Sequence, residues 1–198
     1  MSKQKNTDFG YETITKAEKR KKVGAVFDSV ATNYDLMNNL MSMGLHHVWK
    51  KILIETTTLK PKSKILDIAA GTADITIEFL KKNKDYEIFH TDINLSMLKE
   101  GKRKLINQGK IIPSILCDAE ALPFPNNYFD CVTIGFGLRN MTNKEKALKE
   151  IYRVLSPGGK LVILEFSKIW GPLRKVYDNF SFKIVPKLGK LFAKDEKS

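Results

Sequence analysis

The segment Ile65–Leu66–Asp67–Ile68–Ala69–Ala70–Gly71–Thr72–Ala73–Asp74 decides the fold. An apolar run passes into a turn of very small residues, and a helix-forming stretch starts at once. Small side chains let a ligand come close to the backbone, and a helix N-terminus offers unpaired N–H groups to an anionic group. By itself the pattern fits a bare strand–turn–helix connection or several kinds of nucleotide-binding turn. Its surroundings narrow the choice. Lys64–Ile68 reads as a strand and Thr72–Lys82 as a helix, then Tyr86–Thr91 as a strand ending in Asp92 and Ser96–Asn107 as a helix. Ile111–Cys117 reads as a strand ending in Asp118, Phe129–Gly135 as a strand, Lys144–Leu155 as a helix and Lys160–Phe166 as a strand entered through the tight turn Ser156–Gly159. Strands alternating with helices of this length predict an α/β protein with a doubly wound, mostly parallel sheet.

Outward from this core the pattern changes. Residues 1–14 read as a mobile arm. A helix follows from Thr15 through Val23, Val26, Phe27 and Val30, and two shorter ones cover Tyr34–Met43 and His46–Thr57. The turn around Pro61 closes this helical extension. From Gly171 the chain is basic and aromatic, with Leu173, Val176, Tyr177, Phe180 and Ile184 on one helical face until Pro186. That face suits packing on the sheet or lying on a membrane surface. The expected organisation is residues 1–60 as an arm and substrate-cap helices, 61–170 as the cofactor-binding core and 171–198 as the tail.

Composition excludes several function classes. The 198 residues carry 34 Lys+Arg against 22 Asp+Glu, a formal charge of +12. Two cysteines, Cys117 and Cys131, and three scattered histidines rule out a disulfide scaffold and a Cys/His zinc site. The N-terminus leads into charge rather than an apolar h-region, and no apolar stretch reaches membrane-spanning length, so a cytoplasmic protein is expected. Of the basic residues 29 are Lys and five are Arg. Because nucleic-acid readers favour Arg for bidentate contacts, the excess reads mainly as a solvated Lys surface, with polyanions and anionic membranes left open.

The ends of three consecutive strands carry Asp67, Asp92 and Asp118, on the edge of the sheet where open α/β folds bind ligands. Asp92, 25 residues after Asp67, suits both hydroxyls of a ribose, and Asp118–Ala119 suits an adenine through a side-chain oxygen and a backbone N–H. The turn lacks G-x-G-x-x-G, having Ala69, Gly71 and Ala73 at alternate positions, and no GxxxxGK[ST] occurs. An acidic site of this kind suits an adenosine that also carries positive charge, as S-adenosylmethionine does.

At this point the sequence resembles a class I, Rossmann-like, S-adenosylmethionine-dependent methyltransferase. More narrowly, Tyr34–Trp49 (YDLMNNLMSMGLHHVW) and Arg153–Ser167 (RVLSPGGKLVILEFS) are similar to the signatures of the ubiquinone/menaquinone biosynthesis C-methyltransferases. Asp118–Pro125 and Phe136–Asn140 also resemble family segments, and the likeness runs from about Phe9 to Lys194. It implies cofactor contacts from Thr72, Asp92, Asp118 and Ala119, with Asp67 and Gly71 in the same turn by the general class I pattern. It implies a polyprenylated quinol as acceptor, either demethylmenaquinol or a 2-methoxy-6-polyprenyl-1,4-benzoquinol. Ala70 and Ala73 stand where the family usually has glycine, Ser156 replaces a usual lysine, and Gly135 falls where a cofactor-contacting serine is frequent. The methyl of Ala73 is expected beside the cofactor. Family members usually continue several dozen residues further through two more strands, so the resemblance implies a sheet lacking those C-terminal strands.

Methyl transfer from a sulfonium is an in-line displacement governed by alignment. A quinol carbon becomes nucleophilic when its hydroxyl, with a phenol-like pKa of about 10, loses a proton. His46 and His47 are candidate bases because imidazole titrates near neutrality, and Tyr34 is a candidate for orienting the ring hydroxyl. Arg139 and Asn140 follow the fourth strand. Arg139 is a candidate for stabilising the quinolate oxygen or, with Asp118 and Asn140, for holding a water that takes the proton. A lipid-borne acceptor implies peripheral contact at the inner face of the membrane, through the N-terminal helices and the basic tail. Two competing readings stay open: a nucleic-acid methyltransferase, disfavoured because no Asn/Asp-Pro-Pro-Tyr/Phe run follows the fourth strand, and a non-catalytic cofactor- or lipid-binding subunit. A homodimer is also left open.

Overall fold

The computed structural model describes residues 6–9, 12–42 and 44–166. The central sheet is made from β3 (Lys64–Ile68), β4 (Glu87–Asp92), β5 (Ser114–Leu116), β6 (Phe129–Gly135) and β7 (Leu155–Leu164), in the order β5-β4-β3-β6-β7 and parallel throughout. The order reverses at β3, which pairs with β4 on one side and β6 on the other. The crevice at the C-terminal ends of β3 and its neighbours is therefore the topological switch point.

Alternation along the strands divides the core in two. Ile65, Ile88 and Cys131 face Leu53 and Ile54 of α3 (Leu45–Thr56), Ile75, Ile77, Phe79 and Leu80 of α4 (Asp74–Lys82), and Leu105 of α5 (Leu95–Asn107). Leu66, Ile68, Val132 and Ile134 face the opposite way, against Ile151 and Val154 of α6 (Lys144–Val154) and the aromatic side chains around Phe129. Helices on both faces explain why Ile65–Ile68 of β3 are buried without alternation, Asp67 among them. Asn94 and Asn143 cap α5 and α6, their side chains accepting the N–H groups of Met97 and Lys146.

Three segments differ from the sequence reading. Part of the arm expected over 1–14 is a hairpin, β1 (Asn6–Phe9) antiparallel to β2 (Glu12–Thr15), which runs into α1 (Lys16–Val30). Thr15 and Glu18 form a capping box at that junction. The strand expected over Ile111–Cys117 shrinks to three residues at the sheet edge, with Ile111 93% exposed and unable to pack. β7 begins at Leu155 rather than Lys160, because Phe129 pairs with Leu155 and Cys131 with Lys160. The turn Ser156–Gly159, with Gly158 at φ 79°, bulges out between the two pairings. α2 (Tyr34–Ser42) and α3 match the two short helices expected over Tyr34–Met43 and His46–Thr57 to within a residue at each described end. The tail helix expected over Leu173–Ile184 lies outside the described residues.

Candidate active site

A cavity of about 320 Å³ opens at the switch point. Its floor is the turn after β3, with Ile68, Ala69 and Gly71, and its sides are Asp92–Asn94 after β4 and Cys117–Glu120 after β5. Phe136, Gly137 and Asn140 after β6 close the third side, and Arg20, Val23, Gly24 and Phe27 of α1 with Tyr34 of α2 close it from above. The N-terminal helices therefore form a wall of the same cavity that the strand ends form.

The turn owes its shape to left-handed backbone at alternate residues: Ala69, Gly71 and Ala73 have φ of 52, 53 and 67°. Glycine takes that conformation freely, whereas at Ala69 and Ala73 the Cβ makes it cost about 1–2 kcal/mol each. Ala73 is fully buried in the cluster with Leu53 and Ile54 and does not line the cavity. The expectation that its methyl lies beside the cofactor is thus corrected: the left-handed turn rotates Cβ away from the opening and into the α3–α4 interface.

The carboxylate of Asp92 accepts the N–H of Gly71 at 2.9 Å through one oxygen and that of Asn94 at 2.8 Å through the other. Each oxygen keeps a lone pair for a ribose hydroxyl. Burial raises the pKa of Asp92, with the backbone N–H bonds opposing it. Asp118 accepts the N–H of Glu120 at 2.9 Å and is bridged at 2.7 Å by Arg20 from α1. Glycine governs the approach of two further elements. A Cβ on Gly101 of α5 would stand 2.7 Å from the His90 ring, and His90 Nε2 bonds the carbonyl of Gly71 at 3.0 Å. On Gly135 a Cβ would collide with Ile75, so the serine often found there has no room unless Ile75 moves.

Asp67 and Thr72 stand behind this surface rather than in it. Asp67 is wholly buried and accepts the hydroxyls of Thr76 at 2.7 Å and Thr133 at 2.9 Å. Burial pushes its carboxyl up to about 6 in spite of those donors. Thr72 donates its hydroxyl to Asp35 of α2 at 2.7 Å. Of the residues expected to meet a cofactor, Gly71, Asp92, Asp118 and Ala119 line the cavity directly.

Among the expected catalytic residues, Tyr34 and Asn140 line the cavity, whereas Arg139 and His46 do not. Burial raises the Tyr34 phenol, with a hydrogen bond from Asn38 and the charge of Arg139 acting the other way. Arg139 sits at the rim. Glu165 pairs with its guanidinium and accepts its backbone N–H at 3.2 Å, and the cation lies 5.0 Å from the centre of the Phe166 ring. Phe136 stacks on Phe166 at 4.7 Å, and Trp49 meets both edge-on. His46 is buried in α3. His46 and His47 share the Asn39 side-chain oxygen, at 3.1 and 2.8 Å. Burial, Lys50 and His47 together push His46 down to about 4, so it is neutral at physiological pH. Arg20, Phe27, His90 and Glu165 are the site residues that sequence reasoning missed. Only the charge of Arg20 and Glu165 is visible in the sequence, and their partners are 98 and 26 residues away.

A family model described as the ubiE/COQ5 methyltransferase family matches residues 14–198. The chain belongs to this family. It is similar to the ubiquinone/menaquinone biosynthesis C-methyltransferase UbiE of Burkholderia mallei, 57% identical over 193 residues that make up 97% of this chain and 79% of the relative. UbiE of Burkholderia thailandensis matches to the same extent. Among solved structures, a SAM-dependent methyltransferase from Aquifex aeolicus superposes with a TM-score of 0.60 at 20% identity, covering 81% of this chain and 86% of that one. The YcgJ protein of Bacillus subtilis gives 0.58 at 24%, covering 73% and 58%. At such identities the structures speak to the fold, which is the class I, Rossmann-like one. For a ubiE/COQ5 methyltransferase, an adenosine-bearing cation fits the residues present: the carboxylates of Asp92 and Asp118 in one cavity, each held in place by backbone N–H donation.

Proposed function

We propose that this chain transfers a methyl group from S-adenosylmethionine to a ring carbon of a polyprenylated quinol, demethylmenaquinol or 2-methoxy-6-polyprenyl-1,4-benzoquinol, in menaquinone or ubiquinone biosynthesis. The observation that carries the reading is the single cavity in which Asp92 and Asp118 face Tyr34, Phe136 and Asn140, in a chain 57% identical to UbiE over nearly its whole length. S-adenosylmethionine supplies an electrophilic methyl on a sulfonium. Asp92 takes the ribose hydroxyls, while Asp118 and the N–H of Ala119 take the adenine. Tyr34 stays a protonated donor because its burial disfavours the phenolate, and it orients the ring oxygen. Asn140 supplies a second polar contact. The quinol hydroxyl gives its proton to a water shared by Arg139 and Asn140, and Arg139, held by Glu165 at the rim, stabilises the resulting negative charge. As the ring carbon takes the methyl, the neutral thioether S-adenosylhomocysteine leaves and the ring proton passes to solvent. α1 and α2 form the acceptor cap, since Arg20, Val23, Gly24, Phe27 and Tyr34 wall the cavity.

Incubation of the 198-residue protein with methyl-labelled S-adenosylmethionine and short-chain demethylmenaquinol tests this reading. Label is expected in the ring. Cofactor binding without any incorporation into either quinol rejects it.

A lipid-borne acceptor also calls for contact with a bilayer. Among the described residues no helix is long and apolar enough to cross a membrane. α3 does expose Leu45, Val48 and Ile52, each about half accessible and spaced along one face, and the chain carries +12. An anionic bilayer is the surface such a face complements. Flotation with phosphatidylglycerol vesicles is expected to carry the protein upward. Recovery wholly in the dense fraction rejects contact through this face.

A further inference from the structure

Four helices meet through one run of alternating charges beside the cofactor turn. Lys50 of α3 lies 2.5 Å from Asp74, at the start of α4. Asp74 also pairs with Lys104 of α5, and Lys104 reaches Asp35 of α2 at 2.6 Å. Asp35 in turn accepts the Thr72 hydroxyl. The side chains of Lys50 and Asp74 are only 8 and 12% exposed, so solvent screens this part of the run weakly. Burial opposes ionisation of Asp74, but Lys50 and Lys104 outweigh it and hold its carboxyl at about 2.

The position of this network matters more than its stability. Thr72 follows Gly71, whose N–H holds the Asp92 carboxylate in the cofactor end of the cavity. Asp35 follows Tyr34, which lines the acceptor end. One hydrogen bond, Thr72 to Asp35, therefore joins the cofactor turn to the cap helix that presents Tyr34. Lys104 holds the Asp35 side of that junction and also Asp74, the first residue of α4 and two positions after Thr72. Each carboxylate oxygen of Asp35 and Asp74 already has its partner, so the turn and α2 are tied together through these side chains.

We infer that Lys104 and Asp35 are positioning residues for methyl transfer: through the Thr72–Asp35–Lys104–Asp74 junction they couple occupancy of the cofactor end to the seating of Tyr34 at the acceptor end. The inference rests on the quinol-methyltransferase reading and deepens it. Its consequence is that cofactor and acceptor bind cooperatively, and that the cooperativity depends on Lys104.

The test measures the affinity of S-adenosylhomocysteine by calorimetry, with and without saturating short-chain demethylmenaquinol, so that no transfer occurs. In the unaltered protein the quinol is expected to tighten binding by about fivefold or more, the lower end of ordinary coupling between sites. Lys104→Met, which keeps the aliphatic stem and drops the charge, is expected to bring that ratio close to one and to raise KM for the quinol. Lys104→Arg is expected to restore it. Asp35→Asn, which still accepts from Thr72, gives the same measurement at the other node if Lys104→Met does not fold. A purely structural role would lower the melting temperature and leave the ratio intact. Absence of coupling in the unaltered protein, or an unchanged ratio in a folded Lys104→Met or Asp35→Asn protein, overturns the inference. Methylation of the quinol by the unaltered protein in the same preparation separates this failure from failure of the activity itself.

Discussion

Asp67 is a fully buried acid whose folded pKa lies well above its unfolded one, and this fixes the sign of a stability change. In the unfolded chain the carboxyl titrates near 3.8, and in the folded protein at about 6. Below the lower value both states are protonated. Between the two, only the folded state holds the proton, so the folded state loses ground as pH rises. Above the higher value both are ionised, and the full cost of a buried carboxylate remains. At about 1.4 kcal/mol per pH unit the gap corresponds to about 3 kcal/mol. Asp67→Asn removes the charge and keeps the shape. Its carbonyl oxygen still accepts one threonine hydroxyl, and the other hydroxyl can turn to accept from the amide. The variant is expected to be more stable than the unaltered protein by about 1–3 kcal/mol at pH 7.5 and indistinguishable from it near pH 4. Urea unfolding of both proteins at pH 4, 5, 6 and 7.5 reads this as a widening difference in midpoint. The carboxylate lies under the Ala69–Gly71 turn and contributes negative potential to a site for a cation, so cofactor affinity is expected to fall in the same variant. An Asp67→Asn protein that is less stable at pH 7.5, or whose offset is the same at every pH, refutes the claim that burial governs this group.

Three further outcomes follow from the geometry. Arg20→Met breaks the bridge from α1 to Asp118, which is 57% exposed on the arginine side; it is expected to change unfolding stability by less than about 1 kcal/mol while speeding cofactor dissociation several-fold in a stopped-flow chase. Glu165→Gln releases the Arg139 guanidinium from its rim position, and kcat is expected to drop by about ten- to a hundredfold with cofactor affinity unchanged, as steady-state kinetics and calorimetry will read. Gly101→Ala drives a methyl against His90 and the Gly71 carbonyl, and is expected to cost about 1–3 kcal/mol in urea unfolding together with weaker cofactor binding.

Much of the site was legible because its residues sit at strand ends, and strand ends are readable from periodicity. Asp92 is legible because it ends an apolar strand and Asp118 because it follows a shorter one by two residues, and both line the cavity. His46 and Thr72 illustrate the limit. A histidine and a threonine near the expected site look like ligand-facing groups in the sequence. In the fold His46 is buried against Asn39 of α2 and Thr72 donates to Asp35. Helix rotation decides which way a side chain points, and rotation is set by which of several apolar stripes finds a partner. The edge strand was overestimated for a related reason: Ile111 and Ile112 have strand-like composition, but pairing ends at Ser114.

The sequence alone determined the class of fold, the switch point and the two strand-end acids that line the site, because all of these follow from local pattern and from the short reach between consecutive elements. It also carried the family signature. Tertiary structure decided what long-range contacts control: that α1 walls the cofactor cavity and bridges Asp118, that the methyl of Ala73 points into the core, and that Asp35, Asp74, Lys50 and Lys104 form one network. Those pairings join residues 24 to 98 positions apart. No local periodicity encodes them, since a charge on a helix carries no record of the opposite charge that packing will bring to it.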